Sequence, residues 1–137
     1  MRVLLALALA IFGVGTAAGF GAARLTAART PDVPVGVVRY MAGLRAWDGR
    51  AVWRSYSPDY QALLTDQGTS EAATVALYDE LRRQGASIDE VSHVGGYQTR
   101  GGGYFLYVTR HVRPDAEPTE VVWVFRTDAD GLIESID

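Results

Sequence analysis

Two segments in the C-terminal third constrain this chain more than any other feature, because each is apolar on both faces that a β-strand presents. Positions 104, 106 and 108 are Tyr, Leu and Val, with Phe and Tyr at 105 and 107 between them. Positions 121, 123 and 125 are Val, Trp and Phe, with Val at both 122 and 124. An antiparallel sheet with one dry and one wet face alternates apolar with polar residues. These two segments do not alternate. Each large side chain left in water forgoes roughly 1.5–3 kcal/mol of burial. The fold is therefore expected to cover one sheet face with its own helices and to offer the other to a second copy, a partner subunit or a curl of the sheet itself. Phe105, Val122, Trp123 and Val124 are the residues read as that interface. Aromatics tolerated on a wet sheet face are the ordinary alternative, since much protein surface is apolar.

The rest of the chain supplies the helices. Val37, Val38, Met41, Leu44 and Trp47 recur at three- and four-residue steps, which places them on one helix face. Asp48 suits the N-cap of a second helix running to Tyr56, where Ser57-Pro58 is read as its stop. Residues 58–64 could add another turn or two. Ser70 or Thr69 caps a third helix carrying Val75, Tyr78 and Leu81, closed by Gly85. From Ser87 the period becomes two, and strands are expected at 87–99, 103–113, 119–127 and 132–137. Short turn-rich connectors predict an antiparallel meander. About three helices on a bent four-stranded sheet make an α+β domain.

Ahead of it lie 21 consecutive uncharged residues, Val3 to Ala23, flanked by Arg2 and Arg24. As a helix this stretch spans roughly the 30 Å hydrocarbon core of a bilayer. The same residues read as an export signal, and Gly21-Ala22-Ala23 offers the small residues a signal peptidase needs. Length favours a retained anchor, small residues favour cleavage, and both carry the domain out of the cytoplasm. Gly15 and Gly19 have a spacing that lets membrane helices approach, though glycine is common in any leader. The expected division is 1–25 signal anchor or signal peptide, 26–33 linker and 34–137 folded domain. The expected location is the cell membrane, single-pass with the domain outside, or secretion after cleavage.

Composition narrows the chemistry. All 13 cationic residues are arginine, which excludes a Schiff-base lysine and a P-loop lysine. Zero cysteines exclude a thiol nucleophile, a disulfide framework and a cysteine-ligated metal. A formal charge of −3 argues against nucleic acid as a partner. No cofactor or metal is expected.

The order of three helices and four strands, together with local wording, resembles the NTF2-like superfamily of cone-shaped α+β domains. Val37 to Leu44 followed by Trp47-Asp48-Gly49-Arg50-Ala51-Val52-Trp53 resembles that fold's opening, Tyr56-Ser57-Pro58-Asp59 its serine-proline-acid turn, and residues 128–137 its last hairpin. The resemblance covers nearly the whole exported portion and is closest in style to small extracytoplasmic members behind a membrane segment. It implies a cone whose open end can hold a small apolar ligand and an outer sheet face that can dimerise. Enzymatic relatives such as ketosteroid isomerases, scytalone dehydratase and limonene epoxide hydrolase use carboxylate, tyrosine or histidine groups in the cone. None of their motifs can be placed on this chain residue by residue.

Candidate chemistry rests on the register of the hairpin that joins the expected strands 87–99 and 103–113. A three-residue loop at Gly101-Gly102-Gly103 would set His93 opposite His111 and Tyr97 opposite Tyr107, a base with phenol donors suited to proton abstraction beside a carbonyl. A two-residue loop separates them. Ordinary sheet histidines are the plainer reading. Tyr40, Trp53, Tyr56, Tyr107 and Trp123 could line an apolar pocket or simply form core. The expected function is a non-catalytic, membrane-tethered interaction or accessory-subunit domain associating through its sheet. The alternatives are a binder of a small apolar ligand and an isomerase, dehydratase or cyclase.

Overall fold

The computed structural model describes residues 32–137. The expected membrane segment, 3–23, and most of the expected linker lie outside the described residues. Among those described, no helix is long and apolar enough to cross a membrane.

Four helices precede four strands: α1 Val35–Ala46, α2 Gly49–Trp53, α3 Pro58–Asp66, α4 Glu71–Arg83, β1 Ser87–Thr99, β2 Gly102–Arg113, β3 Ala116–Thr127 and β4 Ile133–Ile136. The α+β class and the antiparallel meander, ordered β1-β2-β3-β4, are as expected. The helix count is not, and Pro58 is the reason. Ser57-Pro58 starts α3 instead of stopping α2: Ser57 Oγ accepts from the Tyr60 N–H at 3.2 Å and Pro58 occupies the first turn, where its missing N–H costs nothing. Helix α2 ends earlier, at Trp53. The other local signals act as read. Asp48 Oδ1 accepts from the backbone of Arg50 and Ala51, Ser70 Oγ accepts from Ala73, and Gly85 turns the chain at φ +74°.

The hairpin between β1 and β2 closes with two residues, Arg100 and Gly101, so Thr99 pairs with Gly102. Further along, Asp89 and Val94 are extra residues on β1 that bulge the ladder and bend the sheet. Strand β3 starts at Ala116, earlier than expected, and includes Pro118. Strand β4 pairs only with Phe125 to Thr127, so Pro118 lies on a free edge where its absent N–H is harmless. On its other side β4 is covered by Ser55–Ser57: Ile133 N–H donates to Ser55 O and Ser57 N–H to Ile133 O.

All four helices serve one face. Val37, Tyr40, Met41 and Leu44 of α1, Val52 of α2 and Tyr78 of α4 bury against Phe105, Tyr107, Phe125 and Ile133 of the sheet. Gly102 closes this end of the core at φ +123°, and a Cβ there would run into the Thr127 carbonyl. Gly102→Ala is therefore expected to cost at least about 2 kcal/mol, whereas Gly101→Ala, with open space around it, should change stability by less than about 0.5 kcal/mol in chemical denaturation.

Candidate functional site

Register and bulges decide which side chains meet. His93 pairs with Tyr107, Ile88 with His111, and Tyr97 with Tyr104. The expected His93–His111 and Tyr97–Tyr107 pairs are thus not formed, because the turn is one residue shorter and two bulges shift the ladder. His93 and His111 share the inner face four residues apart along the sheet, about 13 Å at strand rise, too far to exchange a proton directly. Tyr97 points to the outer face, away from Tyr107.

On the inner face, the His93 ring stacks on Tyr107, with centroids 4.7 Å apart, and its Nε2 is buried without a partner. His111 belongs to a separate network. Trp123 Nε1 donates to Thr109 Oγ1 at 2.7 Å, and Thr109 Oγ1 lies 2.8 Å from His111 Nε2. The indole can only donate, so it takes one of the two lone pairs of the Thr109 hydroxyl, and the other lone pair or the hydroxyl hydrogen pairs with His111 Nε2 according to the imidazole tautomer. Burial, assisted by Arg113, lowers the His111 pKa from the usual histidine range. The ring is kept neutral, and its Nε2 is engaged with Thr109 whichever of the two carries the hydrogen. Thr109, fully buried, was not legible as a site residue; its one sequence signal is a position two residues before His111 on the same strand face.

Tyr40, Trp53, Tyr56, Tyr107 and Trp123 pack on one another and on the core. Tyr40 meets Phe125 and Trp123 edge-on at 5.0 and 5.7 Å, and Trp53 and Tyr60 flank Tyr56 at 5.9 and 5.2 Å. Burial raises the Tyr40 pKa, with Tyr78 and Tyr56 adding to it; burial likewise raises Tyr56 and Tyr107, and lifts Tyr78 to about 12. These phenols stay protonated at neutral pH. Two surface concavities, of about 370 Å³ beside Tyr97, Tyr104 and Arg126 and about 540 Å³ along α4 beside Arg50 and Glu71, are lined by none of those five residues. Among the described residues no three His, Asp or Glu side chains gather as a metal site.

The outer sheet face is built differently. Phe105 and Trp123, expected there, are on the inner face, where Phe105 is fully buried. Their neighbours Leu106, Val108, Val122 and Val124 take the outer one. Across β1, β2 and β3 this face forms four rows: Glu90-Arg110-Glu120, Ser92-Val108-Val122, Gly95-Leu106-Val124 and Tyr97-Tyr104-Arg126. Val122 is 54% exposed, Tyr97 55%, and Val94, in its bulge, 59%. The β2 and β3 members of the middle rows are aliphatic, and the end rows carry the charge.

No protein-family model matches this chain, and no curated protein or solved structure matches it either.

Proposed function

We propose that this chain is a non-catalytic, membrane-tethered extracytoplasmic domain of NTF2-like type that associates through its outer sheet face, with a second copy of itself as partner. One observation carries the reading: all four helices pack on the inner face, leaving Leu106, Val108, Val122 and Val124 uncovered on the other. The row order favours self-association. A two-fold axis lying across the strands sets Glu120 over the partner copy's Arg126, Arg110 over its Tyr104 ring, and the aliphatic middle rows over each other. An axis along the strands would instead set Arg110 over Arg110 and Glu90 over Glu120, which repel. The isomerase reading draws little support from a register that separates His93 from His111 and turns Tyr97 away from Tyr107.

The test is sedimentation of the full chain in a mild detergent. A dimer is expected for the wild type. Val122→Asp, which would bury an unpaired carboxylate in the contact, should weaken it at least about a hundredfold. Glu120→Arg or Arg126→Glu alone should weaken it less, and the double swap should restore it. A monomer, or a dimer indifferent to Val122→Asp and hence held by the leader, contradicts the proposal.

A further inference from the structure

We propose that the α1 side of the domain beside β4 rests on an anionic phospholipid surface. This builds on the tether proposed above and is independent of the dimer. The charge along the chain is sharply divided. Residues 24–54 hold six arginines against two aspartates, net +4, whereas residues 55–137 hold six arginines against 14 acids, net −8. The positive part is the one next to the apolar stretch. Only 11 residues, 24–34, separate Ala23 from Val35, a reach of at most about 40 Å fully extended. A chain entering α1 from a membrane keeps the start of that helix within this reach of the headgroups.

The structure places three of these arginines, Arg39, Arg45 and Arg54, at the surface with apolar residues beside them. Val35, Val38, Arg39, Ala42 and Arg45 recur at three- and four-residue steps along the exposed side of α1, and Val35 and Val38 are 52% and 53% exposed. Arg39 Nη1 donates to the Arg54 carbonyl at 2.7 Å, which fixes the Arg39 end of this stripe beside Arg54. Arg54 leads directly into Ser55–Ser57, the segment that covers β4, so both arginines lie on the β4 side. Among the described residues no ion pair engages Arg39, Arg45 or Arg54, while Arg50 is held by Glu71 at 3.3 Å and Asp48 is spent capping α2. Two exposed valines among unpaired guanidinium groups suit shallow insertion between anionic headgroups. The proposed dimer is compatible: rotation about an axis across the strands keeps both β4 edges on the same side, so two copies can present this surface to one bilayer.

The chain has no cysteine, so single cysteines report cleanly. Full chains carrying Val38→Cys or Leu77→Cys are spin-labelled and reconstituted into neutral phosphatidylcholine vesicles or into vesicles that also hold phosphatidylglycerol. Leu77, 46% exposed on α4, is the control. The label at 38 is expected to pass from nickel-accessible to oxygen-accessible when phosphatidylglycerol is present, while the label at 77 stays in water throughout. Each arginine near an anionic surface contributes roughly fivefold to binding, so combining Arg39→Gln, Arg45→Gln and Arg54→Gln should weaken the contact about a hundredfold and abolish the shift. High salt should act likewise. A label at 38 that stays nickel-accessible, or that inserts equally into neutral vesicles or together with 77, overturns the proposal. Failure of the tether reads differently: the chain would not float with neutral vesicles, yet would still float with anionic ones.

Discussion

Phe105→Ala is expected to lower the stability of the domain by about 3–5 kcal/mol, and to do so equally at low and high protein concentration. The ring is fully buried within a single protomer, among the aromatics of the helix-covered face. Gly96 lies opposite it on β1, and a Cβ there would sit 2.6 Å from the Phe105 Cδ1. The missing side chain at 96 is what lets the ring lie flat against the neighbouring strand. Removing the ring leaves a cavity that β1 and β2 cannot close without breaking their ladder. Val122→Ala makes the contrast. It sits on the opposite face, half-exposed in the protomer, and should cost under about 0.5 kcal/mol in the dissociated chain while weakening association. Urea denaturation of the full chain in detergent at two concentrations separates these cases. A Phe105→Ala loss below about 1 kcal/mol, or one that grows with concentration, would place that ring in a contact between copies.

This contrast also shows where sequence reading reaches and where it stops. That both faces of β2 and β3 are apolar is visible in the alternation itself, but which face turns inward is not, because hydrophobicity does not distinguish them. Size does. The large rings Phe105, Tyr107, Trp123 and Phe125 go to the helices, and the slender aliphatics Leu106, Val108, Val122 and Val124 go outward. The caps at Asp48 and Ser70 and the turn at Gly85 were legible because each depends on residues within one turn of itself. Pro58 was misread for a related reason: the same dipeptide can end one helix or begin the next, and only the Ser57 hydroxyl's acceptance from Tyr60 decides between them. The hairpin register was out of reach because the bulges at Asp89 and Val94 move every pairing beyond them. The Thr109 network lay further out still, since Trp123 is 14 residues along the chain and comes near only once β2 and β3 have paired.

Thr109→Val should remove that network without opening a cavity, because valine replaces the hydroxyl by a methyl of similar size. The Trp123 N–H and His111 Nε2 then lose their shared partner, and the expected loss is about 1–3 kcal/mol at neutral pH. A second consequence follows from protonation. With the His111 pKa lowered in the folded state, chiefly by burial and secondarily by Arg113, the unfolded chain binds the proton more readily. Stability from this group is therefore full above the unfolded value near 6.5 and declines as pH falls through it toward the lowered folded value. The difference between wild type and His111→Gln, measured by denaturation at successive pH values, isolates that decline from the carboxylates, which titrate in both chains. Thr109→Val leaves both causes, burial and Arg113, in place, so the decline should persist in that chain while its overall stability falls. A Thr109→Val chain with unchanged stability would mean that the hydroxyl does not hold the indole and the imidazole in place.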